Sequence, residues 1–315
     1  MRKDFVNQVS ETLKIERKDL IEKDFILHQI LLDLSRNDFF RKNFLFKGGT
    51  CLIKCYLGYF RFSEDIDFTW QNQEKFKGMS QKEIRQCLSP VIDEIGADFE
   101  AIATKRGLDF KCAKGNHDYV ELGGGNKTLT FKVWYDSEIL NRRSFIKAQI
   151  NFLEDLRFSP AKSILKGMLD RHIEELKVLF PEEYKEYSGH IPFDTYDIKE
   201  IMCEKIRSIL TRKGVKARDF VDVYLISKKF GIWPENLKKD IVTKTLFSLN
   251  LYNKYRNNFN EKKKLLKTKD IFVWRHEKGL LLTDIDEKEF YVFLGKLVTF
   301  LYEVIEDVEL QKSKT

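Results

Sequence analysis

The chain has 315 residues, 43% apolar and 33% charged, with only 5 prolines and 16 glycines. This excludes a disordered chain and points to one or two packed, helix-rich domains with few long linkers. A formal net charge of +7 permits a polyanionic partner such as RNA, DNA or a nucleotide without requiring one.

The first twenty residues carry scattered charge and no apolar run, and no stretch approaches the roughly 20 apolar residues of a membrane span. Neither a secretory signal nor a membrane partner is expected. Five cysteines (Cys51, Cys55, Cys87, Cys112, Cys203) without C-x-x-C spacing argue against a zinc or disulfide framework and fit a reducing cytoplasm.

Two helical segments open the chain, the second over about Glu22–Arg36, with Ile26, Leu27, Ile30, Leu31 and Leu34 at helical spacing. Phe44-Leu45-Phe46 reads as a short buried strand broken by Gly48-Gly49. A helix over Thr50–Tyr59 and a strand over Phe62–Phe68 follow, then a helix from Ser80 to about Lys105. Lys127–Tyr135 and Ser144–Phe152 alternate as strands, and Gly123-Gly124-Gly125, with a strand after it, reads as a hairpin turn. From Asp197 the periodicity is helical: Asp197–Arg212, Lys216–Phe230, Pro234–Leu249 and Glu287–Leu310. The basic run Lys254–Lys269 reads as a solvated helix end or loop, with a nucleic-acid contact as the alternative. The expected class is α+β, with a mixed-sheet domain over 1–195 and a helical bundle over 196–315.

Chemistry concentrates between Lys47 and Asp67. Two glycines between a strand and a helix let an anion approach the backbone, and the helix start adds free N–H groups and the Thr50 hydroxyl. On the following strand Arg61, Ser63, Asp65 and Asp67 share a face, opposite Phe62, Ile66 and Phe68. Two adjacent carboxylates need a cation, and Mg²⁺, as one ion or two, suits paired carboxylates completed by phosphate oxygens. Asp-x-Asp alone is weak: Asp284-Ile285-Asp286 is explained by helix capping. The strand–Gly-Gly–helix–strand order, with Asp65 sixteen residues after Gly49, is more specific.

In the first bundle helix Lys205 lies inside the apolar stripe of Ile198, Ile201, Met202 and Ile209. Buried there, it needs an anionic partner or a task. Asp219 and Asp222 share a face of the next helix with Val223 and Ile226. An inter-helix salt bridge from Lys205 or Arg212 to Asp219 is one account, and a face lining the nucleotide cleft is the other. On the strand Phe145–Asn151 the polar face holds Lys147, Gln149 and Asn151, with no carboxylate. The five histidines form no metal or triad spacing.

Glu22-Lys23-Asp24, Lys47-Gly48-Gly49-Thr50, Leu52, Lys54 and Arg61-Phe62-Ser63-Glu64-Asp65-Ile66-Asp67 together resemble the AbiEii/AbiGii nucleotidyltransferase toxin family. Glu204-Lys205, Arg212, Lys216-Ala217-Arg218-Asp219 and Asp222-Val223-Tyr224 resemble that family's helical motif. The resemblance runs from about Glu22 to Tyr224. It implies a polymerase-beta-like core with an appended bundle and transfer of a nucleotide from an NTP to an acceptor, either RNA such as tRNA or a protein. It also implies a toxin with a cognate antitoxin. Asp65 and Asp67 map to the family's metal pair and Gly48, Gly49 and Thr50 to its nucleotide contacts, with Lys47, Arg61 and Ser63 beside them. Lys205 and either Asp219 or Asp222 map to its motif lysine and aspartate. Where the wider superfamily often has a third carboxylate, Gln149 or Asn151 stands here. A non-catalytic nucleotide- or RNA-binding protein and a metal-dependent nuclease are the alternatives.

Overall fold

The computed structural model describes residues 2–170, 172–267, 272, 274 and 276–313. It opens with α1 (Arg2–Leu13) and α2 (Lys18–Leu34), whose stripe Ile26, Leu27, Ile30, Leu31 and Leu34 is buried. A short α3 (Asp38–Asn43), capped by the Asn37 side chain, leads into β1 (Phe44–Lys47). The helix expected over Thr50–Tyr59 begins earlier and has two parts, α4 (Gly48–Cys51) and a π-helical turn over Leu52–Leu57.

The strand β2 is Asp65–Trp70, three residues later than the alternation suggested. Its pairing fixes that start, because the first rung with a neighbour is Asp65 opposite Lys147, while the other neighbour reaches only from Lys47 opposite Asp67 to Phe44 opposite Trp70. Residues 61–64 therefore lead into the sheet without belonging to it.

Next come α5 (Gln81–Arg106), started by a Ser80–Glu83 capping box, and the strands β3 (Val120–Gly123), β4 (Thr128–Ser137) and β5 (Arg142–Asn151). The β3–β4 connection is a hairpin as expected, turning over residues 124–127, with Gly123 closing β3 opposite Thr128. Like α3, four further short elements went unread in the sequence: β6 (Ala161–Leu165), α6 (Glu174–Leu179), α7 (Pro181–Tyr187) and β7 (Ile191–Thr195). The helices α8 (Ile198–Thr211), α9 (Ala217–Phe230), α10 (Lys238–Leu251), α11 (Asn253–Lys267) and α12 (Glu287–Lys312) follow.

The seven strands described form one sheet in the order β3-β4-β5-β2-β1-β7-β6. β1/β7 and β2/β5 are parallel and the other pairs antiparallel, so the sheet is mixed and the α+β class holds. Side chains alternate across it. Phe46, Ile66, Phe68, Phe131, Val133, Ile146, Ala148 and Ile150 are buried. Their aromatic contacts include Phe40–Phe68 at 4.6 Å, Phe46–Phe68 at 5.3 Å and Phe99–Phe131 at 5.1 Å between ring centroids. The intervening residues Asp65, Asp67, Lys147, Gln149 and Thr130 are half-buried on the opposite, polar face.

The chain divides into two compact units, Met1–Leu153 with Pro160–Thr195, and Glu154–Ser159 with Tyr196–Thr315. Polar bonds hold 154–159 within the helical unit. Glu200 accepts from the Arg157 and Phe158 N–H groups at 2.8 and 2.9 Å, and Lys244 Nζ donates to the Asp155 carbonyl at 2.7 Å.

The basic run is a helix, α11, and not a loop: Lys254, Arg256 and Lys264 are exposed as a solvated face would be, whereas Phe259, Lys262 and Leu266 are buried and Lys263 pairs with Glu309 at 2.7 Å. Its apolar positions, spaced by seven, were hidden among lysines. Lys269 lies outside the described residues. Among the described residues no helix is long and apolar enough to cross a membrane.

Candidate active site

The sheet-bearing unit gathers eight of the residues singled out in the sequence. β1 ends at Lys47, and the chain reverses through Gly48 at φ +79°, a left-handed conformation that side chains disfavour. Space imposes the same choice, because a Cβ on Gly48 would lie 2.2 Å from Asp67 Oδ2. The Asp67 carboxylate therefore rests against the main chain of the turn. Gly49 has a different constraint: a Cβ there would meet Arg61 Nη2 at 2.9 Å and Ser63 Oγ at 3.1 Å.

Thr50 is buried; its hydroxyl donates to the Asp65 carbonyl and lies 2.9 Å from Ser63 Oγ. It thus ties the helix start to the strand that carries both aspartates. Arg61 is buried rather than displayed on the strand face, and donates from Nη1 to the Phe62 carbonyl at 2.8 Å. Lys47, also buried, stands opposite Asp67 in the β1–β2 register.

Asp65 and Asp67 are half-buried on one face of β2, beside Lys147 and Gln149 of β5 in the parallel register. With its amide turned to satisfy both neighbours, Gln149 donates to Asp67 Oδ1 at 3.3 Å and accepts from Lys147 Nζ at 3.3 Å. The β5 position opposite Asp67 thus holds an amide and not a carboxylate, and among the described residues no group of three or more His, Cys, Asp or Glu side chains could hold a metal. The donors present still fit Mg²⁺. Two carboxylates whose packing leaves one pressed against a Cβ-free turn suit an ion that takes its remaining ligands from phosphate and water.

Sequence reasoning missed how α2 serves this region. Lys23 Nζ pairs with Glu64, next to Asp65, at 2.8 Å. Asp24 is buried and accepts at Oδ2 from Lys54 Nζ (3.0 Å), Tyr59 (2.8 Å) and Tyr187 (2.6 Å). The signal was present in Glu22-Lys23-Asp24 and in Lys54, a charge among the apolar residues of a helix.

The helical unit holds the remaining three residues. Lys205 Nζ lies 3.0 Å from Asp219 Oδ1 and 2.6 Å from Asp222 Oδ2, and Arg212 Nη1 lies 2.7 Å from Asp219 Oδ2. The inter-helix bridge anticipated for Asp219 is present, and Asp222 joins it. Burial alone would raise the Asp219 pKa, but Lys205, Arg212 and Arg218 outweigh it and hold the carboxyl well below its usual range. Nearby Lys262 donates to the Gly214 carbonyl, and burial brings its pKa down to about 8.

Comparison with curated proteins found no match. Among solved structures, JHP933 from Helicobacter pylori aligns over 94% of this chain and 96% of its own, at 16% identity and a TM-score of 0.42. A second H. pylori chain, described as a candidate nucleotidyltransferase, aligns over 91% of this chain and 94% of its own, at 15% identity and a TM-score of 0.40. Both likenesses are too distant to add to the argument. The family model for "Nucleotidyl transferase AbiEii toxin, Type IV TA system" matches residues 29–275, beginning after the Glu22-Lys23-Asp24 run and extending past Tyr224. With most of its length matched, the chain belongs to the AbiEii nucleotidyltransferase toxin family of type IV toxin–antitoxin systems.

Proposed function

We propose that this chain transfers a nucleotide from an NTP to an acceptor hydroxyl in a Mg²⁺-dependent reaction, acting as the toxin of a toxin–antitoxin pair. The observation that carries the reading is the seating of the Gly48-Gly49-Thr50 turn directly against Asp67. An anion-binding turn and a carboxylate pair that near each other suit a substrate whose phosphates and metal are adjacent. In this reading the domain over 1–195 binds nucleotide. Backbone N–H groups of Gly49 and Thr50 cradle the terminal phosphates while Lys47, Arg61 and Ser63 support the turn from beneath.

Asp65 and Asp67 hold the ion, which supplies charge neutralisation at the phosphate oxygens when bound. From the helical domain over 196–315, Lys205 neutralises phosphate charge, kept in one rotamer by Asp219 and Asp222 together. Positioning and electrostatics of this kind are most of what phosphoryl-type transfer asks of a protein. The acceptor is an RNA such as tRNA or a protein, and a cytoplasmic setting with a cognate antitoxin completes the picture.

Incubation with Mg²⁺, each α-³²P-labelled NTP and total tRNA tests this, with Asp65→Ala, Asp67→Ala and Lys205→Ala as controls. Label in RNA, or in protein, that depends on all three residues is expected. Transfer retained without Asp65 or Asp67 refutes the assignment. A second reading, nucleotide or RNA binding without transfer, is favoured by the amide of Gln149 beside Asp67. It predicts NTP binding with no pyrophosphate release. Cleavage of RNA without NTP would point to a nuclease instead.

A further inference from the structure

Asp24, Lys54 and Tyr187, all buried, form a polar group inside the sheet-bearing unit with the half-buried Tyr59, and Asp24 and Lys54 are each only 3% exposed. One carboxylate oxygen receives all three donors, and the Lys54 ammonium also contacts the Tyr59 hydroxyl. Burial pushes the Lys54 pKa down and those of the two tyrosines up.

Such a pair is a poor device for stability alone. Two charges removed from water recover roughly what they lose, and apolar replacements of similar volume are often as stable or more so. What a buried pair supplies is a single permitted geometry.

Its position in the chain says which geometry. Lys54 lies in the π-helical turn continuous with Gly48–Cys51. Gly58 closes that turn, its N–H bonded to the Ile53 carbonyl at 2.9 Å, a five-residue spacing that shifts the helix phase. Tyr59, just beyond the cap, returns to the same Asp24 oxygen. One residue earlier on α2, Lys23 holds Glu64 at the lead-in to Asp65.

We propose that α2 is a bracket: Asp24, through Lys54 and Tyr59, fixes the helix behind the Gly48–Thr50 turn, while Lys23 fixes the strand carrying Asp65 and Asp67, so that turn and carboxylates stay in register. Asp24, Lys54 and Tyr59 are positioning residues, and none of them touches substrate. The inference rests on the nucleotide reading of the turn.

The test is the double variant Asp24→Leu/Lys54→Met in the full chain, read by thermal melting, by MgATP, MgCTP, MgGTP and MgUTP affinity without acceptor, and by transfer kinetics. The expected result is a folded, cooperatively melting variant whose melting temperature falls only by what Tyr59 and Tyr187 lose with their common acceptor, with NTP binding and kcat/KM at least about tenfold weaker, the scale of a displaced anchor. Wild-type affinity and kcat/KM in a folded double variant overturn the bracket. If that variant does not fold, Tyr59→Phe decides, because it leaves the ion pair intact. Weaker NTP binding at an unchanged melting temperature supports the proposal, and unchanged binding overturns it. Wild-type protein that neither binds nor transfers any NTP overturns the nucleotide reading itself, which separates the two failures.

Discussion

Replacing Gly48 by Ala perturbs the turn at one carbon atom. Gly48 has φ +79°, and a non-glycine residue in that left-handed region costs about 1–2 kcal/mol. The new methyl carbon would also sit 2.2 Å from Asp67 Oδ2, 2.8 Å from its Cγ and 2.9 Å from its Cβ. All three atoms belong to one side chain, so Asp67 must swing away or the turn must open, by roughly 1 Å to reach ordinary contact. The summed cost is about 2–3 kcal/mol of stability. If Asp67 holds the metal, a shift of that size lowers kcat/KM by about a hundredfold. Urea unfolding and labelled-NTP transfer measure the two effects separately. Gly49→Ala is the control, since its Cβ would meet only side-chain ends, at 2.9 Å or more, without a positive φ. A Gly48→Ala protein as stable and as active as wild type would refute the reasoning. Loss of stability with unchanged transfer would keep the steric argument and remove Asp67 from the chemistry.

Lys244, fully buried between Glu200 (2.6 Å) and Glu154 (3.1 Å), should be costly to replace. Lys244→Met removes the ammonium between two buried carboxylates and should lose about 3–5 kcal/mol in urea unfolding at pH 7. The deficit should shrink toward pH 5 as Glu200, whose pKa burial already raises, takes a proton; a deficit independent of pH would contradict this. Asp219 has a depressed folded pKa, so its contribution is complete above the ordinary carboxylate value of 3.8 and is lost as pH falls below it. The stability gap between wild type and Asp219→Asn should therefore narrow by about 1 kcal/mol from pH 5 to pH 3, and a constant gap would refute the pairing. Lys262, with its pKa brought down to about 8 against a usual 10.5, acts in the opposite sense. Its buried charge is a burden below pH 8 that is relieved as pH rises toward 10, so Lys262→Met should flatten that rise relative to wild type.

How far the sequence reached depended on whether a residue's environment is local. Both neighbours in the Gly48–Gly49 break and the alternation around Asp65–Asp67 are decided within a few residues, so the turn, the strand and the polar face could be read directly. The stripe of α8 exposed Lys205 as a charge on the wrong side of a helix, and that sufficed to pair it with Asp219, fourteen residues away. The strand start and the burial of Arg61 were not readable, because they follow from which strands flank β2, and β5 joins it from about eighty residues away. The short elements α6, α7, β6 and β7 carry too few residues for any periodicity to show.

The same distinction explains why Glu22-Lys23-Asp24 could carry a family resemblance without its partners being readable. Consecutive helical residues point about 100° apart, so three charges in a row cannot serve one partner. Glu22 accepts from the Glu138 N–H at 2.9 Å, Lys23 reaches Glu64 at 2.8 Å, and Asp24 reaches Lys54 at 3.0 Å. A run of three charges with two of them fully or nearly buried is therefore a sequence sign of a helix that ties separate parts of a fold together. Here two of those parts are the lead-in to the carboxylate strand and the helix behind the anion-binding turn. Stability alone would be served as well by leucines; three different polar partners on three sides are what a helix needs if its task is to hold chemistry in register.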